Sequence, residues 1–358
     1  MVPATRSQPV QQIKFCRAPD GVRIAYAVHG RGPALLISTC WLSHLQFDWQ
    51  SPVWRHFLTE LGQFSTVIRF DERGHGLSDW DVTDHSLEAR IGDLEAVADD
   101  AGFPTFALMG MAQGGPVSVA YTVRHPERVT RMLFYGSFSN AARLMTKEDL
   151  QLDDAFEPLI KAGWARPDST FRRVFTSLMI PGATEEQMTW LDDLQRMATS
   201  ASTAVIARRQ RRQTDVDELL QQLHVPTLVL HSTGDRMNKF EFGRELASGI
   251  AGARLVALPS DNHIVLSDEP AWGIFIDEVR RFMEPERRPS AAEPVRDLLS
   301  EREVEVLHLV AEGRDNDEVA AALHLSIRTV ERHLQNIYAK LGLQGHSARV
   351  AAATRLLA

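Results

Sequence analysis

Cysteine is almost absent from this 358-residue chain, which carries only Cys16 and Cys40. The pair shows no metal-ligand spacing, and so few thiols exclude a disulfide framework and fit a reducing compartment. No stretch approaches the roughly 18 uninterrupted apolar residues that a membrane helix requires. No apolar run of leader length follows the opening Met1, Val2, Pro3 and Ala4. The expectation is a cytoplasmic chain with no membrane partner. An excess of positive charge is missing too, since 39 Lys and Arg face 47 Asp and Glu for a formal net charge of -8. That excludes a uniformly basic nucleic-acid coat, although a large acidic domain can mask a small DNA-reading surface. Internal repeats and low-complexity tracts are also lacking.

What is present is ordinary globular composition, 44% hydrophobic and 24% charged, in a chain longer than one core usually fills. Short apolar runs at 23–28, 34–38, 66–70, 106–109, 131–135, 227–231 and 254–258 read as strands. Segments of helical periodicity, such as 52–61 and 87–101, lie between them. This alternation predicts an α/β fold, a doubly wound and mostly parallel sheet with helices on both faces. It is interrupted over about 138–223, where helical periodicity continues without a strand. Trp164, Phe171, Phe175, Met179 and Trp190 fall there. Ordinary helix packing explains each of them singly, and a helical lid over a pocket explains the segment. Pro285, Pro289 and Pro294 among charged and small residues mark a linker at 285–295. The expected domains are therefore 12–284 and 296–358.

Beyond the linker, Val304, Leu307, Val310 and Ala311 share one helical face, and Gly313 stands where that helix stops. Asn316 is expected to cap a second helix bearing Val319, Ala320 and Leu323. His324 and Leu325 make a turn, and Ser326 caps a third helix. There Val330, Leu334, Ile337 and Leu341 point inward, and Gly342 suits the stop. A fourth helix runs over 347–357. The outer side of the third helix holds Arg328, Thr329, Glu331, Arg332, Gln335, Asn336 and Lys340. Such side chains reach bases and phosphates from a major groove, and a solvated charged face has the same composition. Leu299, Ser300, Glu301, Arg302 and Glu303, then Ala311, Glu312 and Gly313, then Thr329 to Leu334 and Lys340, Leu341 and Gly342 resemble a LuxR-type helix-turn-helix domain. The resemblance implies double-stranded operator DNA as partner and a homodimer formed through the last helix, and it leaves RNA polymerase open as a further partner. It assigns base reading to Glu331, Arg332 and Gln335, and phosphate contacts to Arg328, Thr329, His333 and Lys340.

In the larger domain the run at 106–109 leads into Gly110, Met111, Ala112, Gln113, Gly114 and Gly115 and then an amphipathic helix. Strand, sharp glycine-rich turn and helix form the setting of a nucleophile elbow. Phe70 to Ser78, Gly234 with Asp235, and Asn262 with His263 follow in the chain order of the α/β-hydrolases, which the region from about Ile13 to Phe282 resembles. The resemblance places an acid at Asp235, a base at His263 and oxyanion donors at the backbone of Gln113 and of the Cys40-Trp41 region. No metal or other cofactor is implied. The nucleophile position holds Ala112, and a methyl group cannot attack a carbonyl.

Three explanations are open at this point. Position 112 is natural alanine in a sensor that binds without cutting; or it is serine in nature and was replaced; or another group, with Cys40 the obvious one, has taken over. The first predicts a small, largely apolar ligand with a carbonyl, ester or lactone group, held between elbow and lid by Trp41, Trp164, Phe171, Phe175, Met179 and Trp190. The second describes an esterase or lactonase fused to a DNA-binding domain. His75, His125 and His231 read as structural groups, and Asp71 and Arg73 as stabilisers of a turn.

Overall fold

The computed structural model describes residues 10–38, 42–168, 170–284, 299–341, 343 and 348–357. The expected linker at 285–295 lies outside these residues, as do Cys40, Trp41 and Gly342. The chain divides into two units, Met1–Met283 and Glu284–Ala358.

The first unit is built on one eight-stranded sheet. Its strands are β1 (Gln12–Arg17), β2 (Arg23–Gly30), β3 (Ala34–Ser38), β4 (Thr66–Phe70), β5 (Phe106–Met111), β6 (Val129–Tyr135), β7 (Thr227–Ser232) and β8 (Arg254–Leu258), in the order β1-β2-β4-β3-β5-β6-β7-β8. β1 pairs antiparallel with β2, and β2 antiparallel with β4. From β4 to β8 the pairing is parallel. The central strands are apolar on both sides because both sides are covered. Leu35, Ile37, Met109, Leu133 and Leu228 face one core. Their neighbours Leu36, Leu108, Met132 and Val229 face the other, as a side-chain period of two requires. The first core is closed by α2 (Arg55–Leu61) through Phe57 and Leu61, and by α10 (Pro270–Met283) through Trp272, Phe275 and Val279. The second is closed by α3 (Leu87–Asp100), α4 (Gly114–Arg124) and α9 (Phe240–Gly249), through Leu94, Val117 and Leu246 among others.

Two departures from the expected elements have simple causes. β1 was not anticipated because, as an edge strand, it leaves most of its residues exposed and shows no apolar run. The helix expected over 52–61 starts only at Arg55, after a turn in which Ser51 Oγ accepts from the N–H groups of Val53 and Trp54. A short helix α1 (Leu45–Trp49) precedes it.

Between β6 and β7 the chain forms α5 (Lys147–Gly163), α6 (Thr170–Met179), α7 (Glu185–Ala198) and α8 (Ala201–Gln213), then a short 3₁₀ turn at Asp217–Gln222. Thr146 and Thr184 open α5 and α7 with reciprocal side-chain to backbone bonds, to Asp149 and Gln187. Among the described residues, no helix is long and apolar enough to cross a membrane.

The second unit consists of α11 (Glu301–Ala311), α12 (Asn316–Leu323), α13 (Ile327–Lys340) and α14 (Ala348–Leu357). Val306, Leu307, Val310, Val319, Val330, Leu334, Ile337 and Ala352 make its core. Ser300 caps α11 and Ser326 caps α13. The cap of α12 is Asp315, not Asn316: its carboxylate accepts from Glu318 N–H while Glu318 returns a bond to the Asp315 N–H. Asn316 instead accepts from Arg349 of α14 at 2.8 Å. His324 ends α12 at φ 52°, the left-handed cap that turns the chain into α13.

Candidate functional site

Ala112 follows β5 at the centre of the sheet with φ 45°. A residue with a Cβ pays about 1–2 kcal/mol for that conformation, and such strain in a buried turn marks a constrained position. The turn is forced by close packing of β5 on α4. A Cβ on Gly110 would stand 2.7 Å from the Gly115 Cα, and one on Gly115 would stand 1.7 Å from Ser137 Oγ. Ala112 N–H donates to Tyr135 O at 3.0 Å, and its carbonyl accepts from Ser137 Oγ at 2.7 Å. The backbone is therefore that of an elbow, with a methyl group at its tip.

The acid and base expected by resemblance come together. Asp235 Oδ2 accepts from His263 Nδ1 at 2.6 Å, and Asp235 Oδ1 accepts from the N–H groups of Met237 and Asn238 at 2.8 and 2.9 Å. Burial pushes Asp235 up, and the neighbouring His263, by charge and hydrogen bond, outweighs it and holds the carboxyl below its ordinary range. With Nδ1 engaged, Nε2 is the nitrogen left for the cavity that His263 lines together with Ala112. His263 N–H is bound to Met179 O at 2.8 Å and Asn262 Oδ1 accepts from Gly182 N–H at 2.9 Å. The loop of the base is thus tied to the end of α6 in the lid.

Gln113, expected to offer its backbone N–H, is held by its side chain. Its Nε2 donates to Glu72 Oε2 at 3.1 Å, and Arg90 pairs with Glu72 at 2.5 Å. The other expected donors, at Cys40 and Trp41, lie outside the described residues, and so does the alternative that Cys40 supplies a nucleophile. Cys16 is buried behind the sheet, its thiol pushed up to about 11 chiefly by desolvation.

The cavity beside the elbow encloses about 470 Å³ of empty space, open solvent included. Leu42, Met179 and Met237 supply its apolar wall, and Arg208, Arg211 and Asn238 its polar one. Of the aromatic and sulfur side chains expected to hold a ligand, Met179 is there. Trp41 lies outside the described residues, Trp164, Phe171 and Phe175 pack within the lid, and Trp190 packs against α1. Trp164 donates to Thr199 O and meets Phe175 edge-on. Phe175 lies 4.5 Å from the ring of Phe156, Trp190 stacks on Phe47 at 4.7 Å, and Phe171 sits beneath the Arg166 guanidinium at 5.5 Å. The sequence analysis assigns no role to Arg208 or Arg211, which stand beside Arg209 and Arg212 without a recognisable motif. Their signal is the spacing of three between 208 and 211, which places both on one helical face.

His231 Nε2 donates to Asn238 O at 2.8 Å, and burial lowers its pKa. Asp71 accepts from the N–H groups of Leu45 and Leu77, and Arg73 pairs with Asp93 and Asp20 at 2.7 Å. All three hold loops in place. Among the described residues, no group of three or more His, Cys, Asp or Glu side chains is placed to hold a metal.

In the second unit, Arg328, Glu331, Arg332 and Gln335 stand exposed on α13. None of the four side chains has a hydrogen-bond or ion-pair partner among the described residues. Thr329 and His333 are half-buried, and Thr329 shares a hydroxyl bond with Ser326 at 2.7 Å. Lys340 is engaged inside the unit, 2.6 Å from Glu303, which also closes the cap at Ser300. Burial pushes Glu303 up, and Lys340 with Ser300 brings it below the ordinary carboxylate range.

The fold defines an α/β-hydrolase domain, with Ala112, Asp235 and His263 at the positions where the resemblance expects elbow, acid and base, joined to a helix-turn-helix domain. Residues 27–274 match the Alpha/beta hydrolase family, and residues 297–353 match Bacterial regulatory proteins, luxR family. The chain belongs to the α/β-hydrolase family and is a fusion of such a domain with a LuxR-family DNA-binding domain. It is 26% identical over 250 residues to the AB hydrolase superfamily protein YisY of Bacillus subtilis, which covers 67% of this chain and 88% of that protein. The C-terminal domain is 44% identical over 54 residues to the response regulator protein VraR of Staphylococcus aureus, or 15% of this chain and 26% of that one. In structure the chain is similar to the esterase EaEST from Exiguobacterium antarcticum, with a TM-score of 0.65, 22% identity, and coverage of 76% of this chain and 100% of that one. That last likeness is one of fold.

Proposed function

We propose that this chain is a ligand-responsive transcriptional regulator whose hydrolase-like domain binds a small carbonyl, ester or lactone compound without hydrolysing it. One observation carries the reading: Ala112 occupies the strained tip of an elbow, opposite an Asp235–His263 pair that has kept its hydrogen bond. Binding geometry is retained where the attacking oxygen is absent. The exposed side chains of α13 support operator binding, with Arg332, Glu331 and Gln335 toward base edges and Arg328 toward phosphate. A homodimer reading two half-sites is the arrangement such a domain favours.

A ligand alters operator affinity only by binding two states of the chain unequally. The loop of His263 is bonded to the end of α6, so a ligand against that histidine has a direct route to the lid. The test begins with duplexes selected by the full-length protein from random sequence. Their binding is then titrated by fluorescence anisotropy with aryl esters, lactones and ketones. A several-fold change in operator affinity with a cavity-bound compound is expected. Tight binding in the cavity with no change in DNA affinity by any compound overturns the coupling. Absence of duplex binding at low ionic strength overturns the regulator.

A second reading is a working ester hydrolase tethered to DNA. The intact Asp235–His263 pair is what favours it, and it requires an oxygen at position 112. A gain in aryl-ester turnover approaching ~10⁶ in the Ala112→Ser protein would establish it in place of the first.

A further inference from the structure

α8 delivers Arg208 and Arg211 to the cavity from the same face. The two differ in what they already hold. Arg208 is paired with Asp153 and stacks over Phe156 at 4.8 Å. Arg211 has no carboxylate within ion-pair distance among the described residues. It donates to Asn238 Oδ1 and lies over the Phe138 ring at 4.9 Å. Asn238 is itself fixed, since its Nδ2 donates to Gly136 O at 2.6 Å and its N–H to Asp235 Oδ1. The Arg211 guanidinium is therefore positioned by a residue bonded to the catalytic-type acid, in the same cavity as Ala112 and His263.

Arg211 is half-buried, and even a partly desolvated guanidinium without a counter-charge is costly. Burial, and then the neighbouring Arg208, pull Arg211 down to about 10, so it remains a cation at neutral pH. Arg208 and Arg211 also border an outer cavity whose wall adds Arg236, Lys239, Asp149 and Asp153. Lys239 is bonded to Asp149 at 2.7 Å, and Asp153 serves Arg208. Four cations face two carboxylates, and both carboxylates are already engaged. The surplus favours entry of an anion and its retention at the inner end.

We propose that the ligand is an acid: a small carboxylate whose oxygens pair with Arg211 while its carbonyl group lies against Ala112, Gln113 N–H and His263. A guanidinium matches a carboxylate in plane and can hold both oxygens. One unpaired cation at the inner wall, with Leu42, Met179 and Met237 around it, suits one negative charge on an otherwise apolar skeleton. The inference rests on the reading that the cavity beside the elbow holds a ligand. It corrects that reading's largely apolar ligand to an amphipathic one.

The test uses levulinate and its longer-chain oxo-acid homologues, each against its own methyl ester, with inorganic phosphate as a simple anion. Binding to the full-length protein is measured by calorimetry at neutral pH. At least one acid is expected to bind ten-fold or more tightly than its ester. Arg211→Gln should bring acid and ester to the same affinity, and Arg211→Lys should restore part of the difference. Parity of acid and ester in the unaltered protein overturns the proposal and leaves the cavity reading intact. So does phosphate binding as tightly as the acids, or an Arg211→Gln protein that folds with an unchanged melting temperature and keeps the acid preference. If acids, esters and lactones all fail to bind, the proposal and the cavity reading fall together.

Discussion

Asp235 and His263 stand 2.6 Å apart, Oδ2 to Nδ1, on loops that follow β7 and β8, and His263 lines the same cavity as Ala112. An acid that orients a base with nothing to deprotonate is the relation on which the functional reading turns. Restoring the oxygen is the direct check. Ala112→Ser keeps the size of the side chain and meets the same positive φ, so the fold should be unaffected. The alanine protein should hydrolyse 4-nitrophenyl esters at background rate. The serine protein should exceed it by roughly 10² to 10³, well short of the ~10⁶ that loss of a serine removes from an optimised protease. His263→Ala in the serine background should cancel the gain. Equal rates with serine and alanine would remove position 112 from the chemistry.

The elbow turn and the helix-turn-helix were legible in sequence because each is a local pattern, glycines where backbones meet, caps before apolar periodicity, a serine before a basic helix, whereas Asp235 and His263 were singled out by resemblance alone. The cavity wall was less legible because it is assembled from distant segments. Trp164 and Phe175 had the composition of a ligand pocket, but a lid of four helices needs a core of its own, and their apolar faces go there. Arg211 had the composition of a surface, and only the packing of α8 turns it inward. β1 lacked an apolar run because an edge strand has no second sheet neighbour to bury it. Asp315 outranked Asn316 as a cap because its charge also favours the helix N-terminus, where it can bond the third residue, Glu318.

On the recognition helix, position in the fold separates two basic side chains that composition treats alike. Arg328 is exposed and its side chain has no partner among the described residues of the unit, whereas Lys340 is bound to Glu303. Arg328→Ala should lower the slope of log affinity against log salt by about 1 and weaken binding evenly across sequences. Arg332→Ala should cost about 1–3 kcal/mol and relax preference at one base position. Lys340→Ala should lower the melting temperature of the C-terminal unit and leave the salt slope nearly unchanged. Anisotropy titrations over a salt series distinguish the three. A Lys340→Ala slope change as large as that of Arg328→Ala would place the lysine on the DNA.

His29 gives the larger unit a pH dependence of definite sign. It is 4% exposed and its Nε2 meets Leu58 O at 2.8 Å. Burial is the main cause that lowers its pKa to about 4 from 6.5. Above pH 6.5 the ring is neutral folded or unfolded, and its contribution to stability is full. Between 6.5 and 4 only the unfolded chain takes up the proton, so stability falls as pH falls. From pH 7 to 5 the loss through this group is about 2 kcal/mol. His29→Gln keeps a donor for Leu58 O and removes the titration. Urea unfolding of both proteins at the two pH values should show a smaller acid loss in the variant by that amount. The comparison isolates His29 from Asp48 and Asp93, which burial shifts upward, to about 7 and about 6, and which therefore act in the opposite direction. Equal losses in the two proteins would mean that the ring is protonated in the folded state.

The elbow also predicts where a single methyl group is intolerable. Gly115 opens α4 beneath Ala112, and a Cβ there would lie 1.7 Å from Ser137 Oγ and 3.0 Å from Ser137 Cβ. The hydroxyl cannot simply swing away, because it donates to Ala112 O at 2.7 Å and that bond helps hold the strained carbonyl. Gly115→Ala should destabilise the larger unit by about 1–3 kcal/mol, the usual penalty for overpacking. It should also weaken binding of any ligand seated at Ala112. Ser137→Ala removes the Oγ and the hydrogen bond together, so alone it should cost about 1 kcal/mol. The two changes share one small volume and should not be additive. With Oγ gone, the new methyl group faces the Ser137 Cβ at 3.0 Å and Phe138 O at 3.3 Å, and the double variant should be more stable than Gly115→Ala alone. Urea unfolding of the four proteins completes the cycle. Strict additivity would show that the clash is relieved by movement of α4 rather than at Ser137, and the elbow would then be softer than its backbone angles imply.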